Sequence, residues 1–187
     1  MANVGHMFVR GRRMAGVWAV AAVALALTTA CTPDAAPTPS PSPTGFASEE
    51  EAFAAAEETY RAYVDALNQV DLSDPATFEP VFELTTGELN GVDRKNLSEY
   101  HAARTTVDGA SLVRVVALEE WSPESGATTL AVCLDVSQIT LQDEAGNSLV
   151  SPDRQEVQPL SVSAVPGESP TGFLLARIDA RTGEPTC

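Results

Sequence analysis

Apolar residues recur at three- and four-residue spacing near the start of the second quarter of the chain. Phe53, Ala56, Tyr60, Tyr63, Val64 and Leu67 fall on one helical face, and Glu57, Glu58, Arg61 and Asp65 fall elsewhere. That period predicts an amphipathic helix over about 48–69. Ser48, with Glu51 three residues on, makes a capping-box start. Asp74-Pro75 predicts a second helix start, aspartate as cap and proline in the first turn. Phe78, Val81, Phe82 and Leu84 would turn inward there, with Pro80 limiting regularity. Gly91 then breaks the chain, and Asp93 caps a third helix over about 94–104 that carries Leu97, Tyr100 and His101.

After Gly109 the period becomes two. Residues 111–121, SLVRVVALEEW, read as a strand, and residues 127–142, ATTLAVCLDVSQITLQ, as a longer one. In the longer run Leu130, Val132, Leu134 and Val136 share one parity, and Ile139 and Leu141 take the other. That slip predicts a β-bulge near Ser137-Gln138. Residues 155–165 make a third strand, with Pro159 pointing to an edge position. A Pro166-Gly167-Glu168-Ser169-Pro170 turn leads to a fourth over 171–180. Three helices followed by a four-stranded meander is an α+β order. A curved, mostly antiparallel four-stranded sheet would wrap the first helix and leave a cavity at the wide end of a cone.

The first 45 residues do not belong to that domain. Residues 1–30 hold Arg10, Arg12 and Arg13 and no acid, then an apolar run from about Val17 to Leu27, then Thr28-Thr29-Ala30. A basic segment, a short apolar segment and small residues describe an export signal. The run is shorter than the ~20 residues that span a bilayer comfortably. Cys31 follows directly, as the cysteine of a bacterial lipobox does, although Thr28 holds the place where leucine is usual and Leu27 stands one earlier. Lipidation of Cys31 is therefore expected, with a retained anchor or an ordinary secretory signal as alternatives. Arg12-Arg13 also hints at twin-arginine export. Residues 31–45 continue as a spacer, CTPDAAPTPSPSPTG, too poor in apolar side chains to offset chain entropy. The domain thus occupies 46–187, tethered to a membrane on its extracytoplasmic side.

Charge narrows the partners. After residue 30 the chain has 8 basic and 26 acidic residues, a net charge of −18. This argues against nucleic acid and against docking on anionic lipid through a basic patch. The acids are scattered, without calcium-loop spacing, so no metal is expected. Once Cys31 is reserved for lipid, Cys133 and Cys187 remain, and an even pair in an oxidising compartment invites a disulfide. Two free buried thiols are the alternative. In a simple meander those cysteines would be separated by the third strand, so the bridge requires a tail that crosses a sheet end, or another strand order.

With its opening helix EEEAFAAAEETYRAYVDAL, its cysteine-bearing strand LAVCLDVS and its terminal RTGEPTC, the chain over 46–187 resembles the nuclear transport factor two-like, or ketosteroid isomerase-like, superfamily. More narrowly it resembles actinobacterial lipoproteins that carry this domain behind a lipobox and a Pro/Ser/Thr spacer. The resemblance implies a cone that can be a binding module or a cofactor-independent isomerase.

Chemical motifs are sparse. G-x-S-x-G, H-E-x-x-H and C-x-x-C are absent, and His101 is the one histidine after residue 30. No catalytic set and no cofactor follow. Enzymes of the isomerase type place acids and tyrosines inside the cone, which makes Tyr60, Tyr63, Trp121 and Asp135 the pocket candidates. Against them, Tyr60 and Tyr63 have core spacing and Asp135 shares the parity of Cys133. Two readings stand: a lipid-anchored binding or scaffold module with an unidentified protein or small-molecule partner, or a small isomerase- or dehydratase-like enzyme.

Overall fold

The structure, a computed structural model, describes residues 46–187. The signal, lipobox and spacer expected over 1–45 lie outside the described residues. Helix α1 runs over Glu49–Asn68, with Ser48 Oγ accepting from the Glu51 N–H and Glu51 Oε2 accepting from Ala47 N–H. The capping box therefore closes one residue further out than its usual form. Three glutamates in the first turn complement the positive end of the helix dipole. Ala52, Ala56, Tyr60, Tyr63 and Val64 are buried along its inner face.

A 3-10 turn over Pro75–Phe78, capped by Asp74, runs straight into α2, Glu79–Glu83. Helix α3 spans Gly87–Ala102. It passes through Gly91 without a break, and Asp93 lies inside it rather than at its cap, which corrects the expectation of a helix starting at 94. Tertiary pairing sets the start. Leu84 O accepts from Leu175 N–H and Thr86 N–H donates to Leu175 O, so a strand ninety residues downstream holds the entry to α3. A mid-helix glycine costs only about 0.5–1 kcal/mol relative to alanine.

The main sheet is an antiparallel meander of β2 (Leu112–Trp121), β3 (Thr128–Asp135), β5 (Val157–Pro166) and β6 (Phe173–Ala180), in that order. Leu130, Val132, Val162 and Leu175 point from it into the core shared with α1. By alternation Ala131, Cys133 and Asp135 take the outer face. The architecture is α+β, three helices against a curved four-stranded sheet, as the element order predicts.

The expected long strand is cut in two. β3 ends at Asp135, and β4 (Thr140–Gln142) pairs instead with β1 (Thr106–Asp108) in a separate ribbon. The parity slip read as a bulge is the chain leaving the sheet through a turn, closed by Ile139 N–H on Val136 O. Gly109 makes that crossing possible. Its φ is +93°, and a β-carbon there would lie 2.0 Å from Gln138 O.

Pro159 is not on an edge strand, since β5 pairs with β3 and β6. Pro159 O accepts from Arg181 N–H, just past the last β5–β6 pair, Leu160 with Ala180. Its missing N–H faces Arg181, so the β5–β6 ladder ends there with one bond where a regular pair exchanges two.

Candidate functional site

Where α1 ends, the domain holds an apolar cavity of about 220 Å³. Leu67 and Asn68 come from the last turn of α1, and Leu97 and Tyr100 from α3. Val107 and Leu141 reach it from the β1–β4 ribbon, and Val136 and Ile139 from the turn that leaves β3. The helix period thus supplies one wall, and the departure from strand period supplies the other.

Two of its polar side chains, Asn68 and Arg154, bond to the backbone. Asn68 donates from Nδ2 to Ser111 O (3.0 Å) and accepts from Ser111 N–H (2.8 Å), which ties α1 to the start of β2. Arg154 donates from Nη2 to Val136 O (2.8 Å) and Ile139 O (3.0 Å), bracing the turn. No carboxylate and no histidine lines the cavity. His101, on the outer side of α3, meets Leu72 O through Nδ1 at 2.8 Å and packs edge-on against Phe78. Among the described residues no group of three or more His, Cys, Asp or Glu could hold a metal ion.

None of the four sequence-predicted pocket residues lines this cavity. Tyr60 is core, 1% exposed, and burial pushes its hydroxyl well above the ordinary tyrosine range. Tyr63 lies beside it, ring centroids 6.4 Å apart, and donates to Asp93 Oδ1 (3.2 Å) and Oδ2 (3.3 Å). Trp121 pairs with Thr128 at the far end of the sheet, its indole N–H buried without a partner among the described residues. Asp135 stands on the outer face, where hydrogen bonds from Ser137 and then Arg114 hold its carboxyl down at about 2. The structure brings Tyr60 and Tyr63 together and leaves Trp121 and Asp135 apart.

Asp93 is the polar interior residue that the sequence reading placed at a helix cap. Burial raises its carboxyl to about 6, opposed by the hydrogen bond from Tyr63. The signal for it exists in the sequence: Leu89, Asp93 and Leu97 are spaced by four and share one face once α3 is known to start at Gly87.

The outer face carries a second built feature. Cys133 and Cys187 form a disulfide, their Cα atoms 5.6 Å apart. The tail after β6 crosses β5 to make it, which is the first of the two arrangements that the bridge requires. Arg181 secures the crossing. It is 8% exposed and donates to Leu160 O (3.3 Å), Gly183 O (3.0 Å) and Pro185 O (2.6 Å).

No family model and no curated protein matches the chain. Solved structures do share its shape. The intermembrane-space region of chloroplast protein ARC6 is similar over 70% of this chain and 97% of its own, at 11% identity and a TM-score of 0.50. A candidate aromatic ring hydroxylase from Novosphingobium aromaticivorans aligns over 73% and 93%, at 12% identity and 0.49. A Catenulispora acidiphila protein in complex with S-DNPA aligns over 67% and 89%, at 14% and 0.43. At these identities the likeness is one of fold alone.

Proposed function

We propose that the chain is an envelope lipoprotein, acylated at Cys31 and held by that lipid on the extracytoplasmic face of a membrane, whose domain binds small apolar molecules. The observation that carries the binding reading is the cavity at the end of α1. It is walled by aliphatic side chains, and Asn68 and Arg154 are occupied with backbone groups. Such a pocket offers chiefly burial of apolar surface. The tethered spacer of residues 31–45 supports a domain carried clear of the membrane surface, at ~3.1 Å per residue if extended.

One observation favours an isomerase- or dehydratase-like enzyme, the Asp93 carboxyl held near neutrality against Tyr63. Neither residue lines the cavity, so a ligand seated there would meet Tyr100, Gln158 and Arg154 rather than a general base.

Titration of the full chain with the neutral fluorophore N-phenyl-1-naphthylamine tests the binding reading. Saturable binding is expected, weakened at least tenfold by Val107→Trp, which fills the cavity from the ribbon side, with melting temperature retained. Absence of saturable binding to the wild type would overturn it. Membrane fractionation tests the anchor: Cys31→Ala should leave the membrane or persist as an unprocessed precursor, and a wild type found wholly in the medium with a free Cys31 thiol would contradict it.

A further inference from the structure

Eight basic residues lie within 46–187, against 25 acids. With carboxylates in such excess, a cation near the surface has an anion at hand, and five of the eight take one. Arg61, Lys95, Arg104, Arg114 and Arg177 each stand within 4.0 Å of a carboxylate oxygen. Arg94 lies over the Phe82 ring at 4.0 Å. The remaining two, Arg154 and Arg181, have no carboxylate partner among the described residues, and they line one notch.

That notch, about 360 Å³, lies where β6 stops and β5 continues with β3 as its one neighbour in the sheet. Gln155, Gln158, Pro159, Leu160 and Ala180 complete its wall, and no acid is among them. The neighbouring Glu156 lines an adjoining groove with Val157 and Cys187 instead. Arg154 and Gln158 also line the apolar cavity, so the two spaces share a wall. The two arginines differ in what they offer. Arg181 directs its donors to backbone carbonyls and contributes a buried positive charge with no side-chain carboxylate within 4.0 Å among the described residues. Arg154 uses only Nη2 for its two carbonyls, which leaves Nε and Nη1 without a protein partner among the described residues. The Nε–H and the Nη1 hydrogens point to different sides of the guanidinium, so each can donate singly to a carboxylate oxygen.

We propose that this notch is an oxyanion seat at the mouth of the cavity, so that the domain takes single-chain amphiphiles with a carboxylate head. The head meets Arg154 in the field of Arg181, and the tail fills the aliphatic cavity. This inference rests on the reading of the cavity as a binding site and adds the head group. An apolar cavity of ~150 Å³ holds benzene, so one of about 220 Å³ suits a tail of roughly nine carbons by proportion.

The test compares decanoate, decan-1-ol and acetate on the full chain by titration calorimetry at pH 8. Decanoate is expected to bind about tenfold more tightly than decanol, as a charge-assisted pair adds to the same tail. Arg154→Gln should bring the two ligands level, and Arg154→Lys should restore part of the difference. Rising salt should lower the decanoate-to-decanol ratio on the wild type alone, which keeps the test valid if Arg154→Gln does not fold. Equal binding of decanoate and decanol overturns the head-group seat and leaves the cavity reading standing. Acetate binding as tightly as decanoate overturns the amphiphile and leaves a free-anion site. No binding of either ten-carbon ligand overturns both the seat and the cavity reading.

Discussion

Cys187, the last residue, is bonded to Cys133 across a strand that contains neither, their Cα atoms 5.6 Å apart. β5 lies between the Cys133 strand and β6, and the tail crosses it near Pro159, the register partner of Cys133. The crossing covers Cys133, which is 1% exposed although it points to the outer face of the sheet.

The bridge closes a separation of 54 residues, worth about 4 kcal/mol on the chain-entropy model. Replacing both cysteines with serine should therefore cost ~2–5 kcal/mol and lower the melting temperature by about 5–15 °C. Thermal melts with and without reductant measure this. Alkylation of both thiols in unreduced, folded protein would show that the pair does not form.

Arg181 should matter to the tail beyond its charge. Three hydrogen bonds from a buried guanidinium hold Leu160, Gly183 and Pro185 together, and each bond to a charged donor is worth ~1.5–3 kcal/mol. Arg181→Ala is expected to destabilise the domain by about 2–4 kcal/mol and to raise amide exchange over 181–187. Arg177→Ala, whose side chain pairs with exposed acids, should change stability by less than ~1 kcal/mol. Equal losses from the two variants would refute the latch.

Asp93 should give the protein an inverted pH response. Its folded carboxyl sits at about 6 against an ordinary 3.8, raised chiefly by burial. Between those values the folded state holds a proton that the unfolded state has lost, so stability falls as pH rises from about 4 to about 6 and is level above. The expected loss is ~2–3 kcal/mol. Asp71, Asp135 and Asp143 are shifted the other way, so their contribution is lost only as pH falls below the ordinary carboxylate range. Urea midpoints from pH 4.5 to 8 isolate Asp93, and Asp93→Asn should flatten the curve. A wild type that gains stability across that window would contradict the assignment.

Gly109 and Gly146 both have positive φ, and they separate strain from clash. At Gly146 a β-carbon meets nothing within 4 Å, so Gly146→Ala should cost only ~1 kcal/mol of backbone strain. At Gly109 it would fall on Gln138 O, and Gly109→Ala should cost about 3 kcal/mol or more. Because that crossing positions Ile139 in the cavity wall, the variant should also lose fluorophore binding. Equal effects at the two glycines would sink the account.

The period of α1, the strands at 112–121, 157–166 and 173–180 and the α+β order were all legible in the chain, because local periodicity and capping chemistry specify them. Also legible was the even cysteine pair and the choice it forces between a crossing tail and another strand order. The start of α3 was not, because Leu175 holds it through pairing that no local pattern records. Nor was the fate of residues 136–142. A slip of parity looks the same whether a strand bulges or leaves its sheet, and only the partner strand decides. The candidate site lay beyond reach for a related reason. Tyr60 and Tyr63 were visible by type, yet packing turned them into the core, while Arg154 and Arg181 carry no motif and acquire their meaning from the space left where β6 ends. Spacing along the chain determined which elements form; which side chains share a cavity was decided by where those elements stop.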